Sequence, residues 1–267
     1  MSLIDLQPTH NPQRFTLAIT SGICVGRPDS QFLFGGAGLA ACIAALEAVT
    51  GRPAVWATAQ YLTYARPGSV LDLDVVVPVM GKYSAQARVT GHVGETEVLT
   101  VNAALGARPD DIVHQWATMP EVAGPDDCPP MPDNWHGARD DIHSRLELRV
   151  AKGRYGAERA IGGPSLDGHT TLWARLQGGA AIDRVALAML ADFVPSGVGD
   201  AIGRLGGGNS LDNTIRFARL VPTEWVLLDI RIHGVASGFS HGSMHLFAQD
   251  GTLMASASQS MIVRFDG

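Results

Sequence analysis

The order of predicted secondary-structure elements occurs twice along this chain, and that repetition limits the folds it can adopt. A strand, a long apolar helix and a series of alternating strands are predicted over residues 1–106 and again over residues 142–267. Residues 107–141 between them hold six prolines and many aspartates, which disfavour regular structure. The sequence therefore predicts two halves joined by a Pro-rich linker.

Short blocks of similar sequence support the repeat. The block YAR at 64–66 matches FAR at 217–219 with an offset of 153 residues, and LD at 73–74 matches LD at 228–229 with an offset of 155. Two further blocks follow in the same order. Four ordered matches favour duplication over the alternative of two unrelated α+β domains.

Each half is predicted to contain one long helix covered by its sheet. Ala37–Val49 is apolar nearly all round, with Glu47 its only charge, which is typical of a buried helix. Ala180–Phe193 combines a 3.6-residue apolar period with polar positions that include Asp192. One helix against the concave face of an antiparallel sheet is a two-layer α+β arrangement.

Composition excludes several classes of protein. With 46% hydrophobic and 17% charged residues the chain is too apolar to be disordered, and a net charge of −6 argues against a nucleic-acid partner. The three cysteines lack metal-ligand spacing, and no cofactor or metal motif is present, so we expect no cofactor. No signal peptide and no membrane-spanning apolar run is apparent, so we expect no membrane association and a cytoplasmic location.

Motifs in both halves are arranged as in one known family. FGG at 34–36 precedes the first helix, and YARPG at 64–68 follows in the next strands. The second half carries LD at 211–212 and, at 250–259, the pattern D-G-x-L-x-A-S-x-x-Q, which is the most specific of these motifs. Outside the linker, the chain resembles the acyl-CoA thioesterase II family. The resemblance implies a double hotdog, in which two tandem repeats each have a long central helix wrapped by an antiparallel β-sheet.

The resemblance also implies a site. Members hydrolyse fatty acyl-CoA with water held by an Asp, a Ser or Thr, and a Gln. Carried over by position, the Asp is Asp212 and the Gln is Gln259, whereas the Ser/Thr position falls at His233. The N–H groups of Gly36 and Ala37 at a helix N-terminus are predicted to stabilise the oxyanion.

The two halves are not predicted to be chemically equal. The offset carries Asp212 back to Ala59 and Gln259 back to Ala103, and neither alanine can activate water. We therefore expect one working site per chain, with its base in the second half.

Two alternatives to hydrolysis stay open at this stage. His233 in place of a Ser or Thr could mark a non-catalytic acyl-CoA-binding protein, with Ser237 as a substitute only if the loop register shifts. Asp212 with His233 would also suit a hotdog enoyl-CoA hydratase. The G-x-S-x-G match at 238–242 is set aside because no helix pattern follows it. Closed symmetry favours a dimer of such chains.

Overall fold

The computed structural model describes residues 4–109, 112–132 and 140–265, so parts of the predicted linker lie outside the described residues. Within these ranges the strands are β1 Leu6–Pro8, β2 Arg14–Ala18, β3 Cys24–Val25, β4 Phe32–Leu33, β5 Ala54–Tyr61, β6 Val70–Met80, β7 Ser84–Val93, β8 Thr96–Gly106, β9 Leu146–Lys152, β10 His169–Leu176, β11 Gly206–Ser210, β12 Asp212–Phe217, β13 Val226–Ala236, β14 Phe239–Ala248 and β15 Leu253–Phe265. The α-helices are α1 Gly35–Thr50, α2 Arg184–Leu190 and α3 Val198–Ile202. The 3-10 segments are Ser21–Ile23, Pro125–Asp127, Ile142–Arg145, Gly156–Ala160, Gln177–Gly179 and Ala191–Gly197.

One antiparallel sheet runs through both halves. Its order is β1-β2-β6-β7-β8-β5-β12-β15-β14-β13-β10-β9, with β11 paired to β15. Read inward from one edge of the sheet, the strands come in the order β1, β2, β6, β7, β8 and β5. Read inward from the other edge, they come in the corresponding order β9, β10, β13, β14, β15 and β12. The halves meet at β5 and β12, where Thr58 pairs with Thr214 and their hydroxyl oxygens lie 2.6 Å apart.

The first central helix forms as the sequence predicts. α1 begins two residues before the predicted start and ends where Gly51 adopts a left-handed φ of 63°. Leu39, Ile43 and Leu46 are fully buried, because the sheet of the first half covers one side of α1 and α2 packs against the other. The even apolar distribution over Ala37–Val49 thus reflects a helix enclosed on most sides.

The prediction of a second long helix over Ala180–Phe193 was wrong. α2 begins only at Arg184, after Asp183 caps it by accepting a hydrogen bond from the Ala186 N–H at 2.8 Å. The chain then tightens into the 3-10 segment Ala191–Gly197. Pro195 lies inside that segment, and a proline both lacks an N–H and clashes with the carbonyl four residues earlier, so it ends the α-helical geometry at this point.

The whole helical stretch from Arg184 to Ile202 is unusually apolar. At 19 residues and a mean hydropathy of 1.5 it is long and apolar enough to cross a membrane by length and composition alone. However, 78% of its most apolar window is buried inside the fold. Burial of that kind is also what a core helix shows.

The Gly-rich segment at 206–210 forms a strand, β11. It pairs with the end of β15, with Gly208 opposite Val263. A Cβ at position 208 would lie only 2.6 Å from Cγ of Met261, so glycine allows this strand to approach the neighbouring side chain closely. The pairing holds Ser210 at a defined place.

Part of the predicted linker packs against the sheet on the face away from the helices. Leu172 belongs to the main core and the next residue, Trp173, to a separate cluster with Cys128, so the two clusters lie on opposite faces. The Trp173 indole N–H donates to the Ala123 carbonyl at 2.9 Å. The linker segment 117–128 therefore covers part of the outer face of the sheet.

Candidate active site

A buried carboxylate lies where the second helical stretch changes its geometry. Asp192 is 6% exposed and has φ −90° and ψ 18°, outside the helical range of its neighbours. This turn directs its side chain at the first half of the chain. There its Oδ2 accepts a hydrogen bond of 2.7 Å from the N–H of Gly36, in the first turn of α1.

Two further polar side chains complete a cluster around Asp192. The Ser210 hydroxyl, at the end of β11, donates to Asp192 Oδ1 at 3.0 Å. The Gln259 amide, on the helix-facing side of β15, donates to the same carboxylate oxygen and to Ser210 Oγ, the latter at 2.9 Å. A carboxylate, a hydroxyl and an amide thus share one hydrogen-bond network.

Two glycines allow the first half to approach this cluster. A Cβ at position 36 would lie 2.4 Å from the backbone oxygen of Met189, a distance that real atoms do not adopt. A Cβ at position 35 would lie 2.8 Å from Asp192 Oδ2 and 2.8 Å from Cζ of Tyr61. The sequence Gly35-Gly36 is therefore required by the contact between α1 and Asp192.

Burial raises the pKa values of two side chains at the site, Asp192 and Tyr61. It raises the pKa of Asp192 to about 6, although the donors Gln259, Gly36 and Ser210 act in the opposite direction. Burial, together with the nearby Asp192 charge, also raises the pKa of Tyr61 well above its usual value. Near neutral pH, Asp192 is thus mostly ionised but a stronger base than an ordinary aspartate.

The cluster borders a cavity of about 1000 Å³. Gly35, Tyr61, Asp192 and Ser210 all contribute to its wall. Much of the remaining wall is apolar and includes Phe32, Leu33, Phe34, Leu62, Val98, Leu99, Phe193, Leu205, Leu211 and Ile262. The exposed side chains of Arg27 and Arg264 also line it. An apolar cavity with few convergent polar groups is the usual form of a small-molecule site.

Of the predicted catalytic side chains, the structure places only Gln259 in this cluster. Asp212 instead accepts a hydrogen bond of 2.7 Å from the backbone N–H of Ser260. The reason is strand alternation, since the next residue, Asn213, is fully buried on the inward face and successive side chains point to opposite faces. The inward-facing side chain at this place is therefore that of Asn213, and Asp212 does not lie beside the Gln259 side chain as predicted.

His233 lies elsewhere too. It occupies an irregularity between β13 and β14, is exposed, and hydrogen-bonds Ser243 Oγ at 2.8 Å. Two strands, β14 and β15, separate its strand from that of Asp212. The predicted grouping of His233 with Asp212 and Gln259 is not present.

The predicted oxyanion donors have other partners. The Gly36 N–H donates to Asp192, and the Ala37 N–H donates to the Phe34 carbonyl at 3.0 Å within the first turn of α1. Gly36 therefore belongs to the site, but as a donor that holds the carboxylate. Ala37 contributes a side chain to the core and its N–H to the helix.

Sequence reasoning missed Asp192 and Ser210 for identifiable reasons. Asp192 fits the polar side of a regular amphipathic helix, and Ser210 ends a Gly-rich stretch that has no alternating strand pattern. One signal was available, because the carboxylate interrupts the otherwise apolar run AMLADFV at 188–194 and a proline follows at 195. A helix broken at a lone acidic residue is a candidate functional feature.

The chain was compared with known families and structures. Residues 125–263 match the family profile described as the acyl-CoA thioesterase C-terminal domain. A search of curated proteins finds no significant match.

Several solved structures are similar over almost the whole chain. A protein from Novosphingobium aromaticivorans, provisionally described as a thioesterase, shares 35% identity with a TM-score of 0.86, over 97% of this chain and 98% of that one. A hot dog fold protein of unknown function from Alicyclobacillus acidocaldarius shares 20% identity with a TM-score of 0.82, over 98% and 96% of the two chains. The acyl-CoA thioesterase II TesB2 from Mycobacterium marinum shares 19% identity with a TM-score of 0.76, over 99% and 98%. Because the family match covers just over half of its residues, this chain belongs to the acyl-CoA thioesterase family and is a thioester hydrolase with an α+β hotdog fold.

Proposed function

We propose that this hydrolase cleaves fatty acyl-CoA to the free acid and CoA, using water activated by Asp192, Ser210 and Gln259. The observation that carries the proposal is the buried carboxylate–hydroxyl–amide network at the wall of a largely apolar cavity. Such a network can take a proton from water and orient it, which are the two requirements of general base catalysis.

The unused acceptors of the network suit a water molecule. An ionised carboxylate has about four acceptor sites, and Asp192 uses three of them for Gly36, Ser210 and Gln259. Oε1 of Gln259 is buried and has no hydrogen-bond partner among the described residues. A water could donate one hydrogen to Asp192 and the other to Gln259 Oε1, leaving an oxygen lone pair for the thioester carbon.

The chemistry then balances within the site. As the water oxygen bonds to the carbonyl carbon, its proton passes to Asp192 and negative charge develops on the carbonyl oxygen. When the tetrahedral intermediate collapses, the carbon–sulfur bond breaks and the CoA thiolate takes up the proton. Ser210 donates to the carboxylate and, with Gln259, fixes its orientation.

The cavity wall supports the substrate class. Its apolar and aromatic side chains suit an acyl chain. Exposed Arg27 and Arg264 offer positive charge on a chain whose net charge is −6, which favours a substrate with an anionic carrier such as CoA.

Thiol release from a series of acyl-CoA substrates tests the proposal. We expect DTNB-detected release of CoA that varies with acyl length, and a higher KM for the same acyl group on pantetheine, which lacks the nucleotide phosphates. Absence of thiol release at every chain length would contradict hydrolysis. Loss of the enoyl absorbance of an enoyl-CoA would instead support the hydratase, although the separation of Asp212 from His233 offers that reaction no acid–base pair.

The pH dependence of hydrolysis is expected to follow Asp192. Because its pKa is raised to about 6, kcat/KM should fall about tenfold per pH unit below pH 6 as the base becomes protonated. A pH–rate profile measured from pH 4.5 to 8.5 provides the check, and an acidic limb centred near pH 4 would contradict this assignment.

The raised pKa of Asp192 also affects the stability of the fold. Its contribution to stability is fully present below pH 3.8 and is lost as pH rises through about 6.

We also propose that the chain is a double hotdog with halves 1–106 and 142–267. The equal strand order counted inward from each end of the sheet supports this arrangement. The second half departs from the simplest form of that fold, because its helical stretch is broken.

One site per chain, a dimeric assembly and a cytoplasmic location remain predictions from the sequence.

A further inference from the structure

The hydroxyl of Tyr61 is buried at the site without a hydrogen-bond partner among the described residues. Tyr61 is the last residue of β5, and its backbone N–H donates to the Leu211 carbonyl at 3.0 Å, which ties it to the turn that follows Ser210. The buried amide of Asn213 is its polar neighbour and acts to lower the pKa of Tyr61, although no hydrogen bond of ordinary geometry joins the two side chains. A buried polar group that is left unsatisfied costs free energy, so its retention needs a reason.

The Tyr61 hydroxyl and the Asp192 carboxylate lie close together at the cavity wall. A Cβ at position 35 would lie 3.0 Å from the Tyr61 hydroxyl oxygen and 2.8 Å from Asp192 Oδ2. Both oxygens lie within about 3 Å of this one point, so they are less than about 6 Å apart, and they do not hydrogen-bond each other. Tyr61 and Asp192 both line the cavity, so a thioester group bound there can lie within reach of a hydroxyl donor and a carboxylate acceptor at the same time.

The Tyr61 hydroxyl remains a hydrogen-bond donor over the pH range in which Asp192 is ionised. Burial raises the pKa of Tyr61 well above its usual value, and the charge of Asp192 adds to the effect. The hydroxyl therefore keeps its proton at pH values where Asp192 is ionised. It can donate a hydrogen bond to an oxygen that becomes negative.

Thioester hydrolysis requires such a donor. Negative charge develops on the carbonyl oxygen in the tetrahedral intermediate, and the N–H groups predicted to stabilise it, those of Gly36 and Ala37, already have partners. We propose that the Tyr61 hydroxyl donates a hydrogen bond to the thioester carbonyl oxygen and stabilises the oxyanion. This proposal rests on the proposed function and makes the first half of the chain the source of a catalytic residue.

The variant Tyr61→Phe tests this role because it removes only the hydroxyl. We expect kcat for acyl-CoA hydrolysis to fall about 10²-fold with KM changed less than about threefold, as for the loss of one oxyanion donor. The melting temperature should stay the same or rise, because the variant removes an unsatisfied buried polar group. A hydroxyl with a structural role would lower it.

Tyr83→Phe is the matched control. Tyr83 is exposed in the turn between β6 and β7 and does not line the cavity, so this variant removes a hydroxyl outside the site. Its loss should change kcat less than about threefold. If Tyr61→Phe does not fold, 3-fluorotyrosine at position 61 keeps the donor and should retain kcat within about threefold.

Comparison with Asp192→Asn separates the two proposals. If Asp192→Asn loses activity whereas Tyr61→Phe keeps its kcat, the role of Tyr61 is overturned and the proposed function stands. If Asp192→Asn keeps its activity, the proposed function itself fails. A loss of kcat in Tyr61→Phe that comes with a fall of several degrees in melting temperature would also overturn the oxyanion role.

Discussion

Replacing Asp192 by Asn is expected to lower kcat for acyl-CoA hydrolysis by about 10³-fold, within the usual range for loss of a general base. The amide is nearly the same size, but it cannot take a proton from water near neutral pH. Its NH₂ would also face one of the donors Gly36, Ser210 or Gln259, which now all point at the carboxylate. Steady-state kinetics under saturating acyl-CoA provide the measurement.

Asp212→Asn is the informative comparison, because the sequence alone favours that aspartate. Its carboxylate holds the Ser260 N–H of β15, an interaction that the Asn side-chain oxygen can keep. We expect kcat to change less than about tenfold, and a melting temperature measured in parallel detects any local loss of stability. A 10³-fold loss confined to Asp212→Asn would restore the assignment made from the sequence and reject the one made from the structure.

Replacing Gly36 by Ala is expected to destabilise the fold by about 3 kcal/mol, at the upper end for overpacking in a core. The new methyl group would lie 2.4 Å from the Met189 backbone oxygen and 2.9 Å from Cβ of Asp192. Neither is the flexible end of a side chain, so α1 and α2 must move apart. Movement of α1 would also misalign the Gly36 N–H with Asp192, so activity should fall together with stability.

Gly38→Ala, two residues along the same helix, is the matched control. A Cβ there meets nothing closer than the Leu33 and Leu99 side chains at 3.5 Å, which is ordinary contact. Because alanine favours the helix over glycine, we expect a gain of about 0.5–1 kcal/mol. Urea denaturation of both variants gives the comparison, and equal effects at the two positions would show that helix propensity outweighs the close approach at Gly36.

Much of the fold follows from local sequence patterns. The alternating runs around Val70–Met80 and Phe239–Ala248 form strands because a period of two places one set of side chains on the core. α1 forms where predicted because its apolar residues suit a helix that is enclosed on most sides. Gln259 lies on the inward face of β15, between buried Ala257 and Met261, as the motif around it indicates.

The break in the second helical stretch depends on more distant contacts. Asp192 leaves helical geometry beside Pro195, and its carboxylate is then held by Gly36, 156 residues away. A 3.6-residue period cannot reveal that interaction, because it describes one helix and not the element packed against it. Likewise, β11 pairs with β15 where Gly208 fits against the Met261 side chain and Gly206 against the Arg264 carbonyl.

The α+β class, the first central helix and the inward position of Gln259 could be predicted from the sequence, because each of these depends on spacing along one stretch of chain. The identity of the aspartate and the hydroxyl that join Gln259, and the position of Tyr61 beside them, could be found only from contacts between distant parts of the chain. The physical reason is that burial and hydrogen bonding across the two halves select Asp192 and Ser210, whereas strand alternation turns Asp212 away.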